Sequence, residues 1–220
     1  MRYTRYFWLI VMISLVVGSA GPAFGQQVTY DLIIGNARIV DGTGNPWFRG
    51  SIAIKDGRIA KIGRFDKAGS KFYIDAKNQI VAPGFIDVHA HTEDIYSNPK
   101  AENFIRMGVT SLVTGNCGGS SLDIGNFLGQ IDKTPLAVNI SSLIGHNTVR
   151  TKVLGLENKT PTADEQTQMN ALVEKAMRDG AVGLATGLIY LPGTFAKTDE
   201  VVELAKAASK HGGIYASHIR

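Results

Sequence analysis

His89 and His91 are separated by one residue and close an apolar run from Ile80 to Val88. Residues i and i+2 of a strand point to the same side, so the two imidazoles are offered to one point, as a metal ion requires. Glu93 and Asp94 follow directly. A His-x-His pair can also arise on a half-exposed strand, and its meaning depends on its setting. That setting includes Cys117, in Gly115-Asn116-Cys117-Gly118-Gly119, and His218, in Ser217-His218-Ile219-Arg220. Imidazole and thiolate together favour zinc over magnesium or calcium, which take oxygen ligands. Zinc in such a site polarises a carbonyl and lowers the pKa of a bound water towards ~7, so the expected chemistry is hydrolysis. A general base is needed as well, and the later strand ends offer no carboxylate.

The elements that must position these residues alternate from residue 80 onward. Strands are expected at 80–88, 109–114, 136–144, 181–188 and 213–217, with helices near 99–107, 121–131, 163–179 and 198–211; this βα succession implies a parallel sheet. The helix from 163 is the clearest: Thr162 and Glu165 form a capping box, Met169, Leu172, Val173, Ala176 and Met177 share one face, and Gly180 ends it. Four of the five histidines and the only cysteine fall at strand C-termini, the edge where β/α barrels and open α/β sheets build their sites.

Each candidate has a plainer reading. Cys117 could be a small buried apolar residue, but its Gly and Asn neighbours favour a ligand. His218 follows Ile214, Tyr215 and Ala216 and could be a core histidine; its place at a strand end favours ligation. His146, in Gly145-His146-Asn147, suits contact with substrate and equally suits a ring that fixes its loop. His211 is explained by a helix C-terminus. Tyr190, before Leu191-Pro192-Gly193, is placed at the rim for substrate contact.

Upstream lies a different pattern, from Gln26 to about residue 80: one or two Ile-rich strands over Tyr30 to Val40 around Gly35-Asn36, and a hairpin at 51–62 around Asp56-Gly57. It reads as a small β-sandwich module whose strands need partners from elsewhere. Before it, Arg2 and Arg5 precede an apolar stretch from Phe7 to Val17 and small residues up to Gly25, the layout of a secretory signal peptide at 1–25 cut ahead of Gln26. The expected organisation is therefore a signal peptide at 1–25, a β module at 26–80 and a β/α domain at 81–220, in an exported, periplasmic or secreted protein. With 44% apolar and 19% charged residues the 220-residue chain can bury a core. Removing Arg2 and Arg5 from the net charge of +4 leaves about +2, too scattered for a nucleic-acid partner. No membrane partner is expected after signal cleavage. Cys117, being single, cannot form an internal disulfide.

With these residues in view, the chain from about Tyr30 to Arg220 resembles the metal-dependent amidohydrolase superfamily, and within it the N-acyl-D-amino-acid deacylases, or D-aminoacylases. The resemblance is carried by Tyr30-Asp-Leu-Ile-Ile-Gly-Asn-Ala-Arg-Ile-Val-Asp-Gly-Thr-Gly44, Ala82-Pro-Gly-Phe-Ile-Asp-Val-His-Ala-His91, Gly115-Asn-Cys-Gly118, Gly187-Leu-Ile-Tyr-Leu-Pro-Gly193 and Ser217-His-Ile-Arg220. Gly-Asn-Cys-Gly is the specific motif, because many relatives bridge two metals with a modified lysine on the fourth strand, and Ala181 to Leu188 contains none.

The resemblance implies an α/β fold, an incomplete TIM-type (β/α)8 barrel of about five strands. It implies that Cys117 and His218 hold a tightly bound Zn2+, with His89 and His91 in a second, weaker position that Cys117 can also reach, and that Tyr190 contacts substrate. The implied reaction is hydrolysis of a small N-acyl amino acid, of the D series, by attack of metal-activated water on the acyl carbonyl. Leu191 and Asn147 depart from the family pattern, standing where Pro and Gly are common. A complete barrel takes ~250 residues, so the chain reads as an N-terminal fragment, inactive alone, whose catalytic aspartate and remaining histidine ligand lie beyond Arg220. The competing readings are a cyclic-amide hydrolase of dihydroorotase or hydantoinase type and a non-catalytic metal-binding barrel.

Overall fold

The computed structural model describes residues 29–67 and 69–219; the signal segment expected at 1–25 lies outside them. The chain divides into two compact units with the boundary between Pro83 and Gly84.

The first unit is a five-stranded sheet. Strand β1 (Tyr30–Ile39) lies at its centre, antiparallel to β2 (Phe48–Lys55), which pairs with β3 (Arg58–Gly63); β4 (Ser70–Asp75) and β5 (Ile80–Val81) run parallel to β1. Ala37 and Ile39 of β1 cluster with Ile52 of β2 and Ala76 on one face, while Ile33 and its partner Ala53 are buried on the other. Gly35 and Asn36 do not split β1; its register against β2 shifts between Ile34 and Ala37, with Asn36 at φ 55°. Asp56 and Gly57 both take positive φ, as a two-residue hairpin between right-twisted strands demands. Among the described residues this unit is one layer, and Phe72, Ile74 and Ile80 stay exposed on it.

In the second unit β6 (Phe85–Asp87), β7 (Val109–Thr114) and β8 (Asn139–Ser142) form one parallel set, and β9 (Ile144–Gly145), β10 (Gly183–Gly187) and β11 (Ile214–His218) another. Leu143 joins them: its N–H donates to Thr114 O at 2.9 Å, while Val182 N–H donates to Ser142 O at 2.9 Å. Among the described residues the strands do not close into a barrel.

Helices α1 (Glu102–Ile105), α2 (Ile124–Ile131), α3 (His146–Leu154), α4 (Ala163–Arg178) and α5 (Thr198–Ser209) connect the strands. The capping box of α4 is formed: Thr162 Oγ1 accepts from Glu165 N–H at 3.2 Å and Glu165 Oε2 from Thr162 N–H at 2.8 Å. Its face of Met169, Val173, Ala176 and Met177 packs with Leu204 of α5 and Leu184 of β10 in the main core.

Helix α3 has no counterpart among the elements expected from the sequence. Its N-cap is Gly145, which offers no side-chain acceptor, and its buried residues are His146, Asn147, Val149, Arg150 and Leu154. A buried face that is mostly polar shows no apolar periodicity, so the usual helical signal is missing.

Candidate metal centre

His89 and His91 follow β6 in an extension that keeps its pairing with β7: Ala90 N–H donates to Val113 O at 3.0 Å, and Thr92 N–H to Thr114 Oγ1 at 3.0 Å. That pairing sends both imidazoles to one side, with ring centroids 5.6 Å apart. Cys117 occupies the turn after β7 with φ 54°, a left-handed conformation that costs a non-glycine residue roughly 1–2 kcal/mol. Glu93, adjacent to the His pair, accepts from Gly115 N–H at 3.0 Å and so ties the two segments together.

The result is a convergent donor set. Cys117 Sγ lies 3.3 Å from His89 Nε2 and 3.4 Å from His218 Nδ1, and the donors of His89, His91 and Cys117 all fall within 4.8 Å of one another. Zinc–nitrogen and zinc–sulfur bonds of about 2.0–2.3 Å in a tetrahedron place neighbouring donors roughly 3.3–3.8 Å apart. The two sulfur–nitrogen separations match that spacing, and two imidazoles and a thiol are a donor set for zinc. Burial pushes the Cys117 thiol above its ordinary pKa, and the Glu93 carboxylate acts in the same direction; a cation must therefore displace a proton to gain the sulfur.

His218, the last residue of β11, has its backbone held by Leu188, whose N–H donates to His218 O at 2.9 Å. Tyr190 meets the His218 ring edge-on, centroids 5.0 Å apart, and remains 48% exposed. A tyrosine half in solvent at this position is accessible to a small molecule.

His146 lies apart from this group. It is wholly buried at the start of α3, its Nε2 2.8 Å from Glu200 Oε1, and Arg150, also buried, pairs with the other Glu200 oxygen. Arg150 donates further to Lys159 O at 2.7 Å. The ring has no surface to present to a substrate, and its contacts are those of a residue that holds α3 to α5. Burial alone would raise the Glu200 carboxyl, but hydrogen bonds from His146 and Arg150 outweigh it and hold the group below its ordinary range.

Two residues at the centre carry no motif of their own in the sequence reading. Glu93 was visible only as an acidic neighbour of the His pair, and Asn147 only as a departure from a pattern. Asn147 is buried, and its Nδ2 donates to Gly187 O at 3.3 Å.

The amidohydrolase family model matches residues 73–217, and the chain belongs to the amidohydrolase family. Among its relatives, the D-aminoacylase of Alcaligenes xylosoxydans xylosoxydans is 35% identical over 219 residues, covering 87% of this chain and 44% of the relative. The crystal structure of N-acyl-D-glutamate deacylase from Bordetella bronchiseptica, complexed with zinc and a phosphonate mimic of the tetrahedral intermediate, superposes with a TM-score of 0.83 at 33% identity, covering 87% of this chain and 45% of that one. A D-aminoacylase studied for its binuclear metal centre, with activation by one metal and attenuation by the second, gives a TM-score of 0.81 at 31% identity, covering 86% and 45%. The chain thus spans about half the length of the relatives it matches, and the α/β fold is that of the amidohydrolase barrel.

Proposed function

We propose that this chain carries the metal-ligating part of a zinc hydrolase that cleaves the amide bond of N-acyl-D-amino acids. The observation that carries the reading is the contact of Cys117 Sγ with both His89 Nε2 and His218 Nδ1, in a chain whose relatives are D-aminoacylases and N-acyl-D-amino-acid deacylases. Cys117 and His218 would hold the tight zinc, and His89 and His91 a second, weaker ion that shares the sulfur.

When bound, zinc supplies Lewis acidity towards the acyl carbonyl and towards water. The chain's own residues bind and orient. Glu93 and the β7 ladder fix the Cys117 turn, Leu188 N–H fixes His218, and Tyr190 stands beside His218 to meet the substrate. The protein is exported, a reading supported by the residue pattern at 1–25.

The test is an assay of the whole gene product, zinc-loaded, against paired N-acetyl-D- and N-acetyl-L-amino acids and against cyclic amides. Hydrolysis of the D series that disappears with a chelator and returns with zinc is the expected result. Cleavage of cyclic amides alone, or zinc binding without hydrolysis of any amide, overturns it.

A further inference from the structure

Asn147 lies where three loops meet. Its Nδ2 donates to Gly187 O at the end of β10 and approaches Leu191 O at 3.5 Å. A Cβ on Gly118, in the Cys117 turn, or on Gly193, just past Tyr190, would collide with the Asn147 Oδ1. Gly187 in turn packs its α-carbon against the Cys117 carbonyl, and its own carbonyl also accepts from Tyr190 N–H at 3.0 Å. The next residue adds to the seat, with Thr148 N–H donating to Gly118 O at 3.2 Å. Behind it, the His146–Glu200–Arg150 network anchors α3 from the buried side. One side chain therefore touches both the turn that carries the sulfur and the segment that carries Tyr190.

We infer that Asn147 is a positioning residue that sets the zinc affinity of the Cys117 centre by locking the Cys117 turn against the β10 end and the Tyr190 rim. Cys117 holds a left-handed backbone conformation, and such a conformation persists only where its surroundings over-determine it. Asn147 and the three glycines that close on it provide that constraint: an amide of this size fills the space between Gly118 and Gly193 and still reaches Gly187 O. Glycine at this position would leave the space empty and the Gly187 carbonyl one donor short.

The inference rests on the reading of Cys117 as a metal ligand, and the test separates the two. Zinc affinity of the whole gene product is measured by competition with a chromophoric chelator, and cobalt is substituted to record the thiolate charge-transfer band. Asn147→Gly and the nearly isosteric Asn147→Asp, which removes the N–H donor, are each expected to weaken zinc binding by about 10–100-fold, the usual cost of losing a group that orients a metal ligand, and to shift the cobalt band. Loss of metal-free stability with zinc affinity and cobalt band unchanged would overturn the inference by showing a structural role alone. If Asn147→Gly does not fold, Asn147→Asp decides. Cys117→Ala in the same titration is expected to abolish the cobalt band; a zinc affinity unaltered by Cys117→Ala would sink the ligand reading and this inference with it.

Discussion

Cys117 and His218, 101 residues apart in the sequence, bring Sγ and Nδ1 to 3.4 Å from each other. Four-ligand zinc sites in small domains carry roughly 10–16 kcal/mol of binding free energy, so one ligand accounts for about a quarter of it. Cys117→Ala should therefore weaken tight zinc binding by about 100-fold or more. His218→Ala should do the same, whereas His91→Ala should lower the number of ions bound at high zinc and leave the tight one in place. Equilibrium dialysis with metal analysis checks all three.

Gly187 tests how closely the ends of β7 and β10 approach. Its hypothetical Cβ would overlap the Cys117 carbonyl, so Gly187→Ala must push the metal turn away. Overpacking of this kind costs about 1–3 kcal/mol. Zinc affinity is expected to fall with the far-ultraviolet circular dichroism spectrum retained, and a Gly187→Ala variant with wild-type affinity would contradict the close approach.

Glu200 is the keystone of the buried polar network, sharing its two oxygens between His146 and Arg150. Glu200→Ala leaves Arg150 as an uncompensated buried cation, a loss of about 3–5 kcal/mol. Urea unfolding should show a large fall in midpoint for Glu200→Ala and a smaller one for Glu200→Gln, which retains the shape and one acceptor.

The same carboxylate predicts an acid limb. Its folded-state pKa is held below the ordinary value of 4.5, so the stability it contributes is fully present above that value and is lost as pH falls through the depressed one. The stability of the wild type minus that of Glu200→Gln should be constant near neutrality and shrink below pH 4.5. A difference independent of pH throughout the acid range would show that the pair is not charged as inferred. Half-buried carboxylates with lowered values, such as Glu165 and Glu174, are common to both proteins and cancel in the difference.

Much of the fold was legible because its signals are local. The capping box at Thr162 and Glu165, the apolar face of α4 and the Asp56-Gly57 hairpin each follow from neighbours in the chain. Helix α3 was not legible, because Arg150 and His146 are buried as partners of Glu200, 50 and 54 residues away, and a polar residue gives no sign in its own segment that a distant carboxylate will neutralise it. In the site, the residue types and strand-end positions of His89, His91, Cys117 and His218 suffice to propose a centre. His146 shares both properties and is buried elsewhere: a strand end fixes where a backbone leaves the sheet, not which way the next side chain turns once a helix begins there. Asn147 illustrates the reverse, a residue of unremarked type whose importance arises only from three glycines distant in sequence.

The donors of the Cys117 centre come from chain positions separated by 28 and 101 residues. An ion shared by them closes two long loops at once, and so acts as a removable cross-link on a chain that has no disulfide to serve that purpose. Since the unfolded chain offers no preformed donor set, free zinc at 100 times its dissociation constant would add about 2.7 kcal/mol to the folded state. Metal supply in the compartment where the chain folds would then determine how much of it survives, before any substrate is met.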